Sequence, residues 1–503
     1  MEKEMTFRCL HPMMLVGTGS DVGKSILATA FCRIFRQDGY RPAPFKAQNM
    51  ALNSFATPEG LEIGRAQAVQ AEAAGIPCHT DMNPLLLKPQ SDHTSQVVLN
   101  GRPIGNRSAY EYFRREGREE LRGEVCAAYD RLAARYNPIV LEGAGSISEI
   151  NLRDTDLVNL PMALHAGADV FLVGDIDRGG VFASVYGSLA LLRPEERRLV
   201  KGIFVNKFRG DLRLFESGMK MMEDLCGIPV LGVIPYYKDI VIEEEDSVSL
   251  AAKSMEARQG KVNVAIVLLR HLSNFTDFNA LEQDPRVHLF YTNNTRELAK
   301  ADIIILPGSK STIDDLAELR RNGVAGAILR ARREGATVLG ICGGYQMMGR
   351  EILDPDRVEG DTERLPGLGL LPVRTRMTRD KVTRQVRFRL WEGKEDPMEG
   401  YEIHMGQTLP DEGEPSLPLA RLADGTTDGY RVDNRCMGTY LHGILDNQPF
   451  IDYLLAPYAE KIQERTAFDY HAFKEEQYDK LAAHVRAHAN IPLLYNILTT
   501  DRL

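Results

Sequence analysis

From Met13 to about Pro235, short apolar runs alternate with longer amphipathic stretches: PMMLVG and SILATAFCRIFRQ, then NPIVLEGAG, ADVFLVGDID, GIFVNKF and VLGVIP. Apolar runs of strand length that end in glycine or a polar loop, separated by helix-length segments, predict buried parallel strands joined by crossover helices. The rhythm stops between Tyr236 and Gly260, where YYKDIVIEEEDSVSLAAKSMEARQG gathers acidic and small polar residues, as an exposed connection does. It resumes at Val262 with VNVAIVLL and continues through ADIIILPGSK, ATVLGICGG and RCMGTYLHGI. After Asp446, Ala, Glu, Lys, Tyr and Leu recur at helical spacing and predict a helical cap on the second series. The expectation is an α/β chain with domains over 1–240 and 261–450, a linker over 241–260 and a cap over 451–503. No internal repeat or low-complexity segment interrupts it.

Length and composition fit that division: 503 residues, 44% hydrophobic and 26% charged, describe a globular chain of several domains. The 61 basic and 70 acidic side chains sum to −9 without long single-sign blocks, which offers no electrostatic footprint for nucleic acid or an anionic membrane. The seven cysteines (Cys9, Cys32, Cys78, Cys126, Cys226, Cys342 and Cys436) are odd in number, widely spaced and free of CxxC pairs, which argues against a disulfide framework or a zinc knuckle. With Glu2 and Glu4 near the start and no apolar stretch long enough to span a bilayer, the expected location is the cytoplasm. A homo-oligomer is compatible with the sequence, which does not fix the oligomeric state.

The run Gly17-Thr18-Gly19-Ser20-Asp21-Val22-Gly23-Lys24-Ser25 follows an apolar strand and opens an amphipathic helix, the context of a phosphate-cradling loop. Gly19 and Gly23 let backbone N–H groups face an anion, Lys24 supplies a point charge for ATP phosphates, and the Ser25 hydroxyl is placed to ligate Mg²⁺. The leading glycine sits one residue early relative to GxxxxGK[ST]. Glu142 ends the strand Ile139-Val140-Leu141 and is the metal candidate opposite Ser25, with Asp175 and Asp177 in GDIDRGG as alternatives. Asn206 closes GIFVNK and could read a purine edge; Arg209 stands where a guanine reader would carry Asp, which favours adenine.

In the second series, Gly340-Ile341-Cys342-Gly343-Gly344 lies between the strand ATVLG and the helix-like YQMMGREIL, the layout of a nucleophile elbow with Cys in place of Ser. A helix N-terminus favours the thiolate, and the Gly343 N–H can donate to an oxyanion. Of eleven histidines, His442 in GTYLHGI stands at the end of a late apolar strand, where it could act as the base. Gly308, in the turn Leu306-Pro307-Gly308-Ser309, could add a second oxyanion donor.

Taken together, these strings resemble the cobyric acid synthase family, the glutamine-dependent amidases of cobalamin biosynthesis. The resemblance rests on GTGSDVGKS, FKAQNMALNS at 45–54, EGAGSISEINLRDTD from Glu142, GDIDRGGVFAS, VNKFRGD, LPGSKST, GICGGYQMMG, GYEIHMG and GTYLHGI, in that order. It implies an N-terminal P-loop domain similar to dethiobiotin synthetase and a C-terminal domain similar to class I glutamine amidotransferases. It further implies that Cys342 attacks glutamine with His442 as acid and base, that Gln346 contacts the glutamine, and that ammonia passes to a carboxylate activated by Mg-ATP. The implied acceptor is a corrinoid, adenosylcobyrinic acid a,c-diamide, amidated at b, d, e and g. Asn49, Asn53, Asp154 and Asp156 lie in the strings most peculiar to the family and are its implied substrate-side residues. Class I triads usually place Glu two residues after the histidine. Here that position is Ile444, so His442 works in a dyad or borrows another orienting group.

Two rivals remain. The sister enzyme that amidates the a and c carboxylates shares fold and chemistry, but FKAQNMALNS carries amides where an acidic segment is expected. A nucleotide-switched partition or scaffold ATPase has a related phosphate loop and no need of Cys342 or His442.

Overall fold

The computed structural model describes residues 9–89, 94–108, 118–243, 253–258, 260–359, 362–391, 393, 396–462 and 468–500. The acidic start at Glu2 and Glu4 and the centre of the expected linker lie outside the described residues. The chain forms two compact units. One holds Met1–Ala51, Ile63–Ile242 and Lys474–Leu503, and the other holds Leu52–Glu62 and Glu243–Phe473.

The core of unit 1 is a six-stranded parallel sheet of β1 (Met13–Gly17), β2 (Ala43–Phe45), β3 (Ile139–Glu142), β4 (Asp169–Asp175), β5 (Val200–Phe208) and β6 (Val230–Pro235), in the order β6-β5-β4-β1-β3-β2. Every residue of β1, β3 and β4 is buried, as strands covered on both faces by crossover helices must be. The helix Lys24–Gln37 buries Leu27, Phe31, Ile34 and Phe35. A smaller sheet of Gln48–Met50, Leu85–Pro89, Thr94–Leu99 and Arg102–Ser108 completes the unit. The helices Tyr470–His488 and Ile491–Thr499 place Tyr478, Leu481, Val485, Leu494 and Leu498 in the same core as Phe31 and Phe35. The expected cap on the second domain is thus divided: Phe450, Ile451, Leu454, Leu455 and Tyr458 pack into the core of unit 2 as expected, whereas the stretch from Lys474 onward covers unit 1.

Unit 2 contains β7 (Val262–Val267), β8 (Val287–Thr292), β9 (Ile303–Leu306), β10 (Thr337–Ile341), β11 (Tyr430–Asp433) and β12 (Cys436–Thr439), in the order β8-β7-β9-β10-β12-β11. All pairings are parallel except β11 with β12. A long antiparallel ribbon pairs Val373–Leu390 with Met398–Pro410, and the second of these pairs antiparallel with the short strand Leu441–His442. The register sets Leu306 opposite Gly340 and Ile341 opposite Thr439, so the turns after β9, β10 and β12 gather at one sheet edge.

Candidate active sites

In unit 1 the turn after β1 delivers the candidate phosphate loop. Gly23 has φ +96°, and a Cβ there would come within 2.1 Å of the Asn206 amide nitrogen, so only glycine fits. Gly23 also leaves the start of the helix Lys24–Gln37 without a side-chain cap, and its amides stay available to an anion. Lys24 Nζ donates to the carbonyls of Gly19 and Gly145, both at 2.9 Å. Burial pulls the Lys24 ammonium down to about 8, although Glu142 opposes the fall. Asn206 is buried and donates to the Val22 carbonyl at 2.8 Å, so its N–H group braces the loop.

Glu142 is the hub. Its Oε1 accepts from the Ser25 hydroxyl at 2.8 Å and faces Lys46 Nζ at 2.8 Å, while Oε2 accepts from Gln70 at 2.7 Å. Burial would raise the carboxyl, but Lys46 and the hydrogen bonds from Gln70 and Ser25 hold it below the ordinary carboxylate range. The alternatives are engaged elsewhere: Asp175 pairs with Lys207 at 3.1 Å and Asp177 with Arg209 at 2.6 Å. One hydroxyl and one carboxylate in contact are a hard-oxygen set of the kind Mg²⁺ takes when phosphates supply the remaining ligands, so the residues fit the metal.

Beside the turn after β3 lies a cavity of about 220 Å³ lined by Gln48, Arg118, Ser146, Asp156 and Asn159 among others. Asp156 accepts from the N–H groups of Val158 and Asn159, at 2.7 and 3.1 Å, which anchors that wall. Asp154 is exposed and is not among the lining residues. Asn49 is buried, donating to Gln67 at 3.1 Å. Asn53 belongs to unit 2, whereas Asn49, Asp154 and Asp156 belong to unit 1.

In unit 2, Cys342 has φ +52° and ψ −110°, the strained turn of a nucleophile elbow. The neighbouring glycines are obligatory: a Cβ on Gly344 would meet the Leu306 carbonyl at 1.9 Å, and one on Gly343 would meet the Ser309 nitrogen at 2.9 Å. Those contacts also put the Gly308-Ser309 turn against the elbow. A Gly308 Cβ would lie 3.4 Å from His442 Cε1. The Cys342 thiol is 3.6 Å from the Ile403 carbonyl and also interacts with the His442 ring. Gln346 is fully engaged: it donates to the Met405 carbonyl at 3.1 Å, contacts the Tyr440 hydroxyl at 3.2 Å and accepts from Thr312.

His442 Nδ1 lies 2.7 Å from Asp277 Oδ2, and the other Asp277 oxygen accepts from the Gly443 N–H at 3.1 Å. Both side chains are almost wholly buried. Burial alone would depress the imidazole, but Asp277 and then Cys342 raise it to about 10. The nearby His404 goes the other way, burial pushing it down to about 4. Cys342, the His442 ring and Asp277 are thus linked in turn, the arrangement a nucleophile, base and orienting acid would need, with Asp277 supplied from the turn after β7.

Two family models match the chain: the CobQ/CobB/MinD/ParA nucleotide binding domain over residues 13–250 and the CobB/CobQ-like glutamine amidotransferase domain over residues 263–450. The cobyric acid synthase of Bacteroides fragilis is 79% identical over 98% of this chain and 99% of its own length. The chain belongs to the cobyric acid synthase family. Similar relatives in that family include those of Phocaeicola vulgatus, 74% identical over 97% of this chain and 99% of its own, and Parabacteroides distasonis, 60% over 97% and 98%. Membership makes the chain a glutamine-dependent amidoligase, and its amidotransferase half leaves the partition-ATPase rival without support.

Three residues of this cobyric acid synthase fold escaped the sequence reading. Lys46, directly after the short strand β2, and Gln70, within the helix Arg65–Ala74, meet Glu142; Lys46 lies inside FKAQNMALNS, where a lone lysine among apolar and amide residues was a usable signal. Asp277 lies in the short 3₁₀ turn Phe275–Phe278, an acid flanked by two buried phenylalanines, about 165 positions before its histidine. The missing Glu two residues after His442 is explained by packing: Ile444 is wholly buried in the core.

Proposed function

We propose that this chain converts adenosylcobyrinic acid a,c-diamide to adenosylcobyric acid by amidating its b, d, e and g carboxylates with ammonia drawn from glutamine. The observation that carries the reading is the buried Cys342–His442–Asp277 line in the same chain as the Lys24, Ser25 and Glu142 cradle.

In the glutaminase half, the Cys342 thiolate attacks the side-chain carbonyl carbon of glutamine. The Gly308 and Gly343 N–H groups stabilise the oxyanion, and His442 gives its proton to the departing nitrogen. Ammonia leaves and a glutamyl thioester remains. His442 then takes a proton from water, hydroxide attacks the thioester carbonyl, and the carbon–sulfur bond breaks, releasing glutamate and restoring the thiolate beside the imidazolium. Asp277 keeps the imidazole in one tautomer and stabilises its charged form.

In the synthetase half, a carboxylate oxygen of the acceptor attacks the γ-phosphorus of ATP and ADP leaves, giving an acyl phosphate. Ammonia attacks the acyl carbon, loses a proton and expels inorganic phosphate. A carboxylate is a poor electrophile until one oxygen becomes a leaving group, which is why the cradle is needed. Lys24 and Lys46 offset charge on the transferring phosphoryl group. Mg²⁺, held by Ser25 and Glu142, would neutralise the β- and γ-phosphates. The seven cysteines are all free thiols, in keeping with a cytoplasmic setting, and among the described residues no helix is long and apolar enough to cross a membrane.

The test is a corrinoid a,c-diamide carrying heavy oxygen in its carboxylates, incubated with Mg-ATP and glutamine. Stepwise acid-to-amide mass changes, with heavy oxygen appearing in inorganic phosphate, are the expected result. Turnover of cobyrinic acid alone would transfer the assignment to the a,c-amidating sister, and unlabelled phosphate would remove the acyl phosphate.

A further inference from the structure

The segment Leu52–Glu62 lies about two hundred residues upstream of β7, yet it belongs to unit 2. Asn53 and Ser54, each 1% exposed, lie against the turn that carries Asp277. Asn53 Oδ1 accepts from the Phe275 N–H at 3.2 Å, the first residue of that turn. Asn274 has φ +51° and bridges three groups. Its Oδ1 accepts from the Ser54 N–H, its amide nitrogen donates to the Ser54 carbonyl, both at 3.3 Å, and the same nitrogen reaches the Tyr401 hydroxyl at 3.1 Å. Tyr401 stacks on the His442 ring with centroids 5.3 Å apart and planes 21° apart, and Phe55 packs edge-on against Tyr401 at 4.6 Å. The segment is pinned farther along, where Gln385 donates to the Ala56 carbonyl at 2.8 Å and Lys381 pairs with Glu62.

His442 is therefore held at its Nδ1 edge by Asp277 and on its face by Tyr401, and both supports rest on residues 53–55. We infer that Asn53-Ser54-Phe55 is a positioning strap for the catalytic imidazole, so that the glutaminase is set by a piece of chain outside its own consecutive sequence. The inference rests on the glutaminase reading of Cys342 and His442. It reassigns Asn53 from the acceptor to the ammonia-generating chemistry. The three residues act through Asp277 and Tyr401, whose displacement by a fraction of an ångström misaligns proton transfer.

The test uses the full chain with Asn53→Ala and Asn274→Gly, the second chosen because glycine keeps the left-handed backbone while removing the bridging amide. Glutamine-dependent kcat should fall about 10-fold or more in each, with the glutamine KM within about twofold and ammonia-dependent synthesis unchanged. The alkaline limb of glutamine hydrolysis should move to lower pH, because a loosened Asp277 no longer holds the imidazolium proton as tightly. Unchanged kcat and pH profile with only a lower melting temperature would reduce the segment to packing. An equal loss of ammonia-dependent synthesis would return Asn53 to the acceptor side. Failure of the underlying reading is separable, since Cys342→Ala would then leave glutamine hydrolysis intact.

Discussion

Asp277→Asn keeps the shape of the side chain that orients His442 and removes its charge. The wild-type ring is held at about 10 against an ordinary 6.5, despite burial that acts in the opposite direction. At ~1.4 kcal/mol per unit, that rise is of order 5 kcal/mol of preference for the imidazolium, shared between Asp277 and Cys342. If about half is Asp277's, its loss should slow glutamine hydrolysis about 100-fold. The asparagine can also present an N–H to Nδ1, which selects the tautomer unable to accept the thiol proton and adds to the loss. Glutamate release from glutamine and synthesis from ammonium should be followed side by side. The first should fall and the second should hold. A folded value above the ordinary one means that the stabilisation is whole below pH about 6.5 and fades as pH climbs through about 10. The melting deficit of the variant should therefore be largest near pH 6 and shrink toward pH 10. Glutamine hydrolysis within threefold of wild type would refute the role given to Asp277.

Three further outcomes follow from the charges. Lys24 sits at about 8 without nucleotide, so Mg-ATP binding at pH 8–9 should take up protons, seen by titration calorimetry in buffers of different ionisation enthalpy; Lys24→Arg should abolish the uptake. Lys46→Met should abolish amidation from either nitrogen source and lower unfolding stability by about 3 kcal/mol, because it strands the buried Glu142 carboxylate; urea titration checks the stability and product analysis the activity. Burial lifts Asp428 to about 7, so the stabilisation it gives when protonated is whole below pH about 4 and is lost as pH rises through 7. Asp428→Asn should flatten that decline in melting temperature between pH 5 and 8.

The elements that were legible in the sequence are those whose neighbours leave them no choice. Strands β1, β4, β9 and β10 are buried on both faces and read as unbroken apolar runs. The two loops after β1 and β10 were legible because glycine is compulsory at Gly23, Gly343 and Gly344, where any Cβ collides with backbone or with Asn206. The ribbon Val373–Leu390 hid its strand character behind exposed arginines on one face, several of them paired across it or nearby, as Arg374 with Asp411 and Arg387 with Glu399. The cap from Lys474 onward was legible as helix but not by destination, since an apolar stripe does not say which core it covers. Asp277, and the place of Asn53 though not its name, were out of reach for a related cause: each makes its contact more than 160 positions away, and a single sequence carries spacing along the chain, not contacts across it.

Cys342→Ala in the full chain, supplied with Mg-ATP and a corrinoid a,c-diamide, tests the central claim most directly when glutamine and ammonium are compared as nitrogen sources. No amide product is expected from glutamine, and undiminished product from ammonium. Product from glutamine at the wild-type rate, or no product from ammonium in a folded variant, would contradict it.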